Sequence, residues 1–213
     1  MSRFTLQTTY YSLLTVSLHI SEQKKILRQE IKKRIDDMPT DARRAEGRTL
    51  SRVLVQNIPK GSTVCAYFPL KSEVDIQLLL QELLSRGDTV YLPVFAGKDK
   101  KMIYRKAENL HNLPPGEFTI PEPPATAPEL GNAEVDIVLV PGRAFDKQGN
   151  RLGRGSGGYD TWLTWYKKHH PKTPLWGTCL QCQLVQTVPT EPHDIPMDIV
   201  ATAQEWIKIV DKG

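Results

Sequence analysis

Between residues 61 and 95 the chain changes its hydrophobic period twice, and this restricts what it can fold into. Residues 63–68 (TVCAYF) are an apolar, β-rich run that reads as a buried strand. Residues 75–86 (DIQLLLQELLSR) place apolar side chains at helical spacing, and Gly87 can close that helix as a left-handed cap. Residues 89–95 (TVYLPVF) read as a second strand. Strand, helix and strand at this spacing fit a right-handed parallel crossover.

The flanking segments extend the pattern. Ser21 can cap a helix running to about Met38, with Leu27, Ile31, Ile35 and Met38 on one face and Lys24, Arg28 and Lys32 on another. Pro39 ends it, and Thr40 can cap a second helix with Leu50, Val53, Leu54 and Ile58 inward. Residues 101–106 (KMIYRK) form a short edge strand, and 135–140 (VDIVLV) a central one. The Pro-rich stretch 111–133 reads as extended loop. Residues 160–169 read as a helix, and 174–179 and 198–203 as further strands. The sum is an α/β chain with a mainly parallel sheet. We expect one domain over residues 21–213, preceded by an extension, 1–20, of unclear role: its apolar stretch is broken by Ser and Thr and it carries one Arg, unlike a secretory or transit signal.

Composition excludes several classes. With 213 residues, 39% hydrophobic and 24% charged, the chain is neither disordered nor a membrane bundle, and no run of 18 apolar residues exists. A net charge of +4 argues against a dedicated nucleic-acid binder. The charge is concentrated: residues 21–60 hold 11 Lys+Arg against 6 Asp+Glu. Three cysteines suit a reducing compartment, so a cytoplasmic protein is expected, with no membrane partner.

The richest segment is PGRAFDKQGNRLGRGSGGYD, residues 141–160. It follows the central strand and precedes a helix, the place where open α/β sheets bind ligands. Gly153, Gly155, Gly157 and Gly158 let a backbone approach phosphate closely, Arg151 and Arg154 add fixed positive charge, and Asp160 can hold a divalent metal. Gly153-x-Gly155-x-x-Gly158 matches the dinucleotide fingerprint only formally, because about a dozen residues separate it from its strand, and no Gly-Lys-Ser/Thr ends it. A mobile surface turn is the bland alternative.

RLGRGSGGYD resembles the signature loop of the 5-formyltetrahydrofolate cyclo-ligases, also called methenyltetrahydrofolate synthetases. KKILR, YFPLKSEVD, Ile120-Pro-Glu-Pro123, the run 140–149, Gln183 and VPTEPHD resemble other segments of that family in the same order, over about residues 21–203. The resemblance implies ATP-dependent closure of 5-formyltetrahydrofolate to 5,10-methenyltetrahydrofolate with release of ADP and phosphate. It also implies a three-layer α/β sandwich of the NagB/RpiA/CoA transferase-like fold, and Mg2+ as cofactor. A monomer is expected, with an oligomer left open. The resemblance implies that Lys24 and Arg28 bind ATP phosphate together with Arg151, Leu152, Gly153, Arg154, Gly155, Ser156, Gly157, Gly158 and Tyr159. Arg151 and Arg154 would stabilise transferring charge. Phe68, Glu73, Phe118 and the loop from Arg154 to Gly158 would bind the folate, and Asp160 and Asp194 the metal. Two alternatives stand beside this: a catalytically altered folate- or nucleotide-binding member, and a small nucleotide-binding interaction module.

The chain departs from the family pattern at Ser156, Gly158, Thr161, Ala203 and the lead Gln181-Cys182 into Gln183. Other motifs read as structural. Cys179-Leu-Gln-Cys182 lacks a second pair for metal and does not open a helix as a redox motif should. His169 and His170 read as a solvated helix end, and Trp162, Trp165 and Tyr166 as helix packing. His193, beside Asp194, could belong to either a site or the surface.

Overall fold

The computed structural model describes residues 19–96, 101–116 and 119–210. Two helices come first, α1 (Ile20–Asp36) and α2 (Thr40–Asn57). The ring of His19, not Ser21, accepts the first-turn amide, so α1 starts one residue before Ser21. Of the segment set apart as 1–20, residues 1–18 lie outside the described residues, and His19 and Ile20 belong to this helix start. Ile31, Ile35, Leu50 and Leu54 are buried, as their spacing predicts.

The expected crossover is present. β1 (Thr63–Cys65), α3 (Gln77–Ser85) and β2 (Thr89–Ala96) follow in order, and β1 pairs in parallel with β2. Gly87 takes φ +85° beyond α3, the conformation a glycine cap requires. β3 (Lys101–Ala107) returns antiparallel on the edge. β4 (Ile137–Pro141), buried at all five positions, lies in the middle between β1 and β7 (Leu175–Thr178), parallel to both. β9 (Ile199–Ala201) continues the sheet in parallel, and β10 (Trp206–Lys208) closes the other edge antiparallel, giving the order β10-β9-β7-β4-β1-β2-β3. A second, small sheet joins β5 (Ala144–Asp146), β6 (Arg151–Leu152) and β8 (Leu184–Val185).

Alternating strand residues feed two cores. Val64, Ile137 and Leu139 pack with α1, α2 and α3, whereas Cys65, Val138 and Val140 pack with α4 (Gly158–His169). Helices therefore cover both faces of the sheet, an α/β/α arrangement in three layers. Residues 111–116 and 119–133 are mostly loop, tied to β3 by the isolated bridge from Arg105 to Glu129. Among the described residues no helix is long and apolar enough to cross a membrane.

The two sheets meet where Gly177 of β7 faces the Phe145 ring. A Cβ there would lie 2.5 Å from Phe145 Cε1 and 3.0 Å from Met197 Cγ. Gly177→Ala is therefore expected to destabilise by about 1–3 kcal/mol through overpacking. Urea unfolding would register a lower midpoint with an unchanged slope, and a midpoint equal to wild type would refute the tight contact.

Candidate active site

The site grows from the carboxyl end of β4. Gly142 leaves no room for a side chain, since a Cβ would come 2.7 Å from the Phe145 ring and 3.2 Å from Arg151 Cγ. The buried Gln183 pins this turn: its Nε2 donates to the carbonyls of Gly142 at 2.9 Å and Arg143 at 3.1 Å. Its Oε1 accepts the Leu180 amide at 2.9 Å. The next turn is held by Asp146, fully buried, whose carboxylate accepts from the amides of Gln148, Asn150 and Val188 and from Asn150 Nδ2.

These turns present the glycine loop. Gly155 and Gly157 adopt φ +96° and +76°, where a Cβ is strained, and Gly157 leads directly into α4. The helix begins at Gly158, two residues earlier than its apolar spacing suggests, so Asp160 lies in the first turn. Arg28 Nε of α1 donates to the Gly153 carbonyl at 2.9 Å, across 125 residues of sequence. Arg151 is almost fully buried, donates to the Pro141 carbonyl at 3.1 Å, and pairs with Asp160 Oδ1. Arg154 donates to Ser72 Oγ at 3.1 Å and lies 3.6 Å from Glu73 Oε1. Burial pushes the Glu73 carboxyl above its ordinary value, against the Leu70 amide and Arg154, which favour the charged form.

Glu73, Pro141, Arg151, Gly153, Arg154, Ser156, Gly157, Tyr159 and Asp160 line one small open cleft. It is walled by opposite charges and floored by backbone, as expected for an anionic ligand that also presents hydrogen-bond donors. Eight of the residues singled out from the sequence thus converge. Others do not line the cleft. Leu152 is a core residue of β6, 1% exposed. Gly155 is exposed, with its Cα side facing the Arg28 guanidinium, and Gly158 faces Phe95. Phe68 packs against the core, half-buried, and Phe118 lies outside the described residues. Tyr159 offers its ring, because its hydroxyl is buried beside Tyr104, and burial holds that phenol well above the ordinary tyrosine range.

Lys24 and Asp194 are brought together, in an arrangement that spacing could not reveal. Lys24 Nζ lies 2.8 Å from both Glu191 Oε2 and Asp194 Oδ2, and Asp194 Oδ2 also accepts the Glu191 amide at 2.8 Å. Burial opposes the Lys24 charge, yet the two carboxylates outweigh it and hold the ammonium pKa above its ordinary value. Burial also opposes the Asp194 carboxylate, which Lys24 and the Glu191 amide nevertheless hold below its ordinary value. Lys24 and Arg28 share a helix face but serve different partners. Glu191 had no local signal beyond its place in TEPHD.

Fit to a divalent ion differs between the two predicted carboxylates. Asp160 is half-exposed to the cleft and has one oxygen on Arg151, which leaves the other for a cation shared with phosphate. Asp194 lies off the cleft lining and already serves two donors. Among the described residues no three His, Cys, Asp or Glu side chains cluster as a metal site would. Cys179 and Cys182 are free thiols, and burial raises both above the ordinary range, away from redox or ligand use. His193 is exposed, 3.9 Å from Asp194 Oδ1.

Comparison with known proteins gives a consistent picture. The model of the 5-formyltetrahydrofolate cyclo-ligase family matches residues 20–203. A 5-formyltetrahydrofolate cyclo-ligase of Mycolicibacterium smegmatis is 34% identical over 195 residues, covering 86% of this chain and 95% of its own. One from Saccharomyces cerevisiae is 31% identical over 200 residues, covering 83% and 93%. The solved 5,10-methenyltetrahydrofolate synthetase of Aquifex aeolicus superposes with a TM-score of 0.75 at 29% identity, over 89% of this chain and 94% of that one.

Proposed function

The chain belongs to the 5-formyltetrahydrofolate cyclo-ligase family, and from that premise we propose how its own residues run the reaction. The enzyme converts 5-formyltetrahydrofolate and ATP to 5,10-methenyltetrahydrofolate, ADP and phosphate. The observation that carries the site assignment is the single cleft in which the glycine loop meets Arg151, Arg154, Asp160 and Glu73.

A formamide carbon is a poor electrophile. Transfer of the γ-phosphoryl group to the formyl oxygen makes that oxygen a leaving group. Folate N10 then attacks the carbon, the ring closes, and phosphate departs. No protein nucleophile is needed, so the work is positioning and charge stabilisation. Amides of residues 153–157 cradle phosphate. Arg151, held by Pro141 and Asp160, and Arg154 meet the transferring charge. Arg28 fixes the loop through the Gly153 carbonyl. Mg2+ bound with the nucleotide fits the free oxygen of Asp160 and would neutralise phosphate charge. Lys24 and Asp194 reach phosphate and metal only by exchanging the ion pair they now share. Phe68 and Phe118 are assigned to the folate. We further assign this machinery to one domain, acting as a cytoplasmic monomer without nucleic-acid partners.

Mixing the chain with 5-formyltetrahydrofolate and MgATP should raise the near-ultraviolet absorbance of the methenyl product, with ADP formed in equal amount. Nucleotide binding without turnover would replace this reading by that of a binding-only relative.

Glu73 accepts hydrogen bonds from the amino-pyrimidine edge of the pterin. Glu73→Gln is expected to raise the KM for 5-formyltetrahydrofolate by about 10- to 100-fold, since it removes a charged acceptor. Stability should move the other way. A raised folded-state pKa means the wild-type contribution is fully present below the unfolded value of 4.5 and is lost as pH rises through the folded one. The variant should therefore gain stability relative to wild type near neutral pH, and that gain should vanish in acid. Thermal melts across pH check this; a difference that does not change with pH contradicts it.

A further inference from the structure

Arg143 is a cation next to this site, off the cleft lining itself, to which the resemblance assigns no role. Its backbone is pinned on both sides: its amide donates to the Leu152 carbonyl at 2.7 Å, and its carbonyl accepts from Gln183 Nε2 at 3.1 Å. The side chain starts at the carboxyl end of the central strand, one residue pair away from the start of the glycine loop. Its Nη1 is shielded from solvent and has no hydrogen-bond partner among the described residues. A structural arginine in the same chain looks different. Arg86 donates to the carbonyls of Val55, Ile58 and Pro59 and pairs with Asp88.

The charges around Arg143 sharpen the contrast. Burial and the nearby Arg154 and Arg28 press against its charge, and Glu73 and Asp36 support it. A guanidinium nitrogen withdrawn from water without an acceptor, beside two like charges, is a cost the fold carries. That cost is recovered when a ligand brings an anionic oxygen to the nitrogen. The bond to Leu152, immediately before Gly153, anchors the Arg143 backbone beside the start of the glycine loop, and guanidinium geometry suits phosphate oxygens.

Building on the ATP-site assignment above, we propose that Arg143 is a phosphate-binding residue: on nucleotide binding its guanidinium turns out of this shielded position, and Nη1 takes an oxygen of bound ATP. The variant Arg143→Gln tests it. Calorimetric titration with MgATP, without folate, should give a Kd about tenfold or more above wild type, the loss of one charge-assisted hydrogen bond. The KM for ATP should follow, while the KM for 5-formyltetrahydrofolate stays within about twofold. Arg143→Lys should recover part of the nucleotide affinity. Ligand-free Arg143→Gln should melt at or above the wild-type temperature, because it sheds an unpartnered buried donor. Unchanged MgATP affinity overturns the proposal. So does a rise confined to the folate KM, which would place the guanidinium on a substrate carboxylate. A lower ligand-free melting temperature with both affinities weakened would make Arg143 structural and also overturn it. A wild-type chain that binds no MgATP removes the premise, and the inference with it.

Discussion

Asp160→Asn is expected to lower kcat by about 10²- to 10³-fold, the size of effect seen when one preorganised group that stabilises transferring charge is removed. The carboxamide keeps the shape and can still accept from Arg151, so the fold survives; Asp160 is half-exposed, and Arg151 retains the Pro141 carbonyl. What is lost is the negative charge that would hold the cation on the phosphates. The KM for folate should change little, and added Mg2+ should restore part of the rate. Initial rates against Mg2+ concentration measure this, and wild-type activity at limiting Mg2+ would refute the role assigned to Asp160.

Asp146→Ala is expected to cost about 3–5 kcal/mol of stability, an exceptionally large loss for a residue that touches no ligand. The carboxylate is 0% exposed and accepts at 2.9–3.0 Å from three backbone amides and one side-chain amide. Alanine leaves those donors in a small dry cavity, and each unpaired buried group costs about 1–3 kcal/mol. Asp146→Asn should fall between. Its oxygen can keep the Gln148 and Asn150 amides, but its NH2 then faces the Val188 N–H. Equilibrium urea unfolding ranks the three, and an alanine variant within about 1 kcal/mol of wild type would show that water or relaxation replaces the network. Activity of the alanine variant should fall as well, since this turn leads straight into Arg151.

The parts of this architecture legible in the sequence share a cause: they are long enough to carry a period. The crossover from β1 through α3 to β2, the central β4, and the inward faces of α1 and α2 all show one. β1 and β9 are only three residues long but lie in longer apolar runs, whereas β5, β6, β8 and β10 are two or three residues long with no such run around them to mark a strand. The glycine loop was legible as a phosphate-approaching backbone with two arginines and an aspartate. Its anchors were not. Gln183, Asp146 and Glu191 act on residues 2 to 167 positions away, and nothing in local spacing names the distant partners. Lys24 and Arg28 were correctly placed on one helix face, but the division of that face between Glu191–Asp194 and the Gly153 carbonyl is a tertiary fact. The start of α4 at Gly158 also escaped the apolar pattern, because its first turn is glycine, tyrosine and aspartate rather than aliphatic.

The account turns on phosphoryl transfer to the formyl oxygen inside this cleft. The most direct test supplies 5-formyltetrahydrofolate with a heavy oxygen isotope in its formyl group, together with MgATP and the chain. The mass of the released phosphate is then read. One labelled oxygen in each phosphate, appearing in step with the methenyl product, is the predicted result. Unlabelled phosphate, or methenyl product formed without ATP consumption, would contradict it.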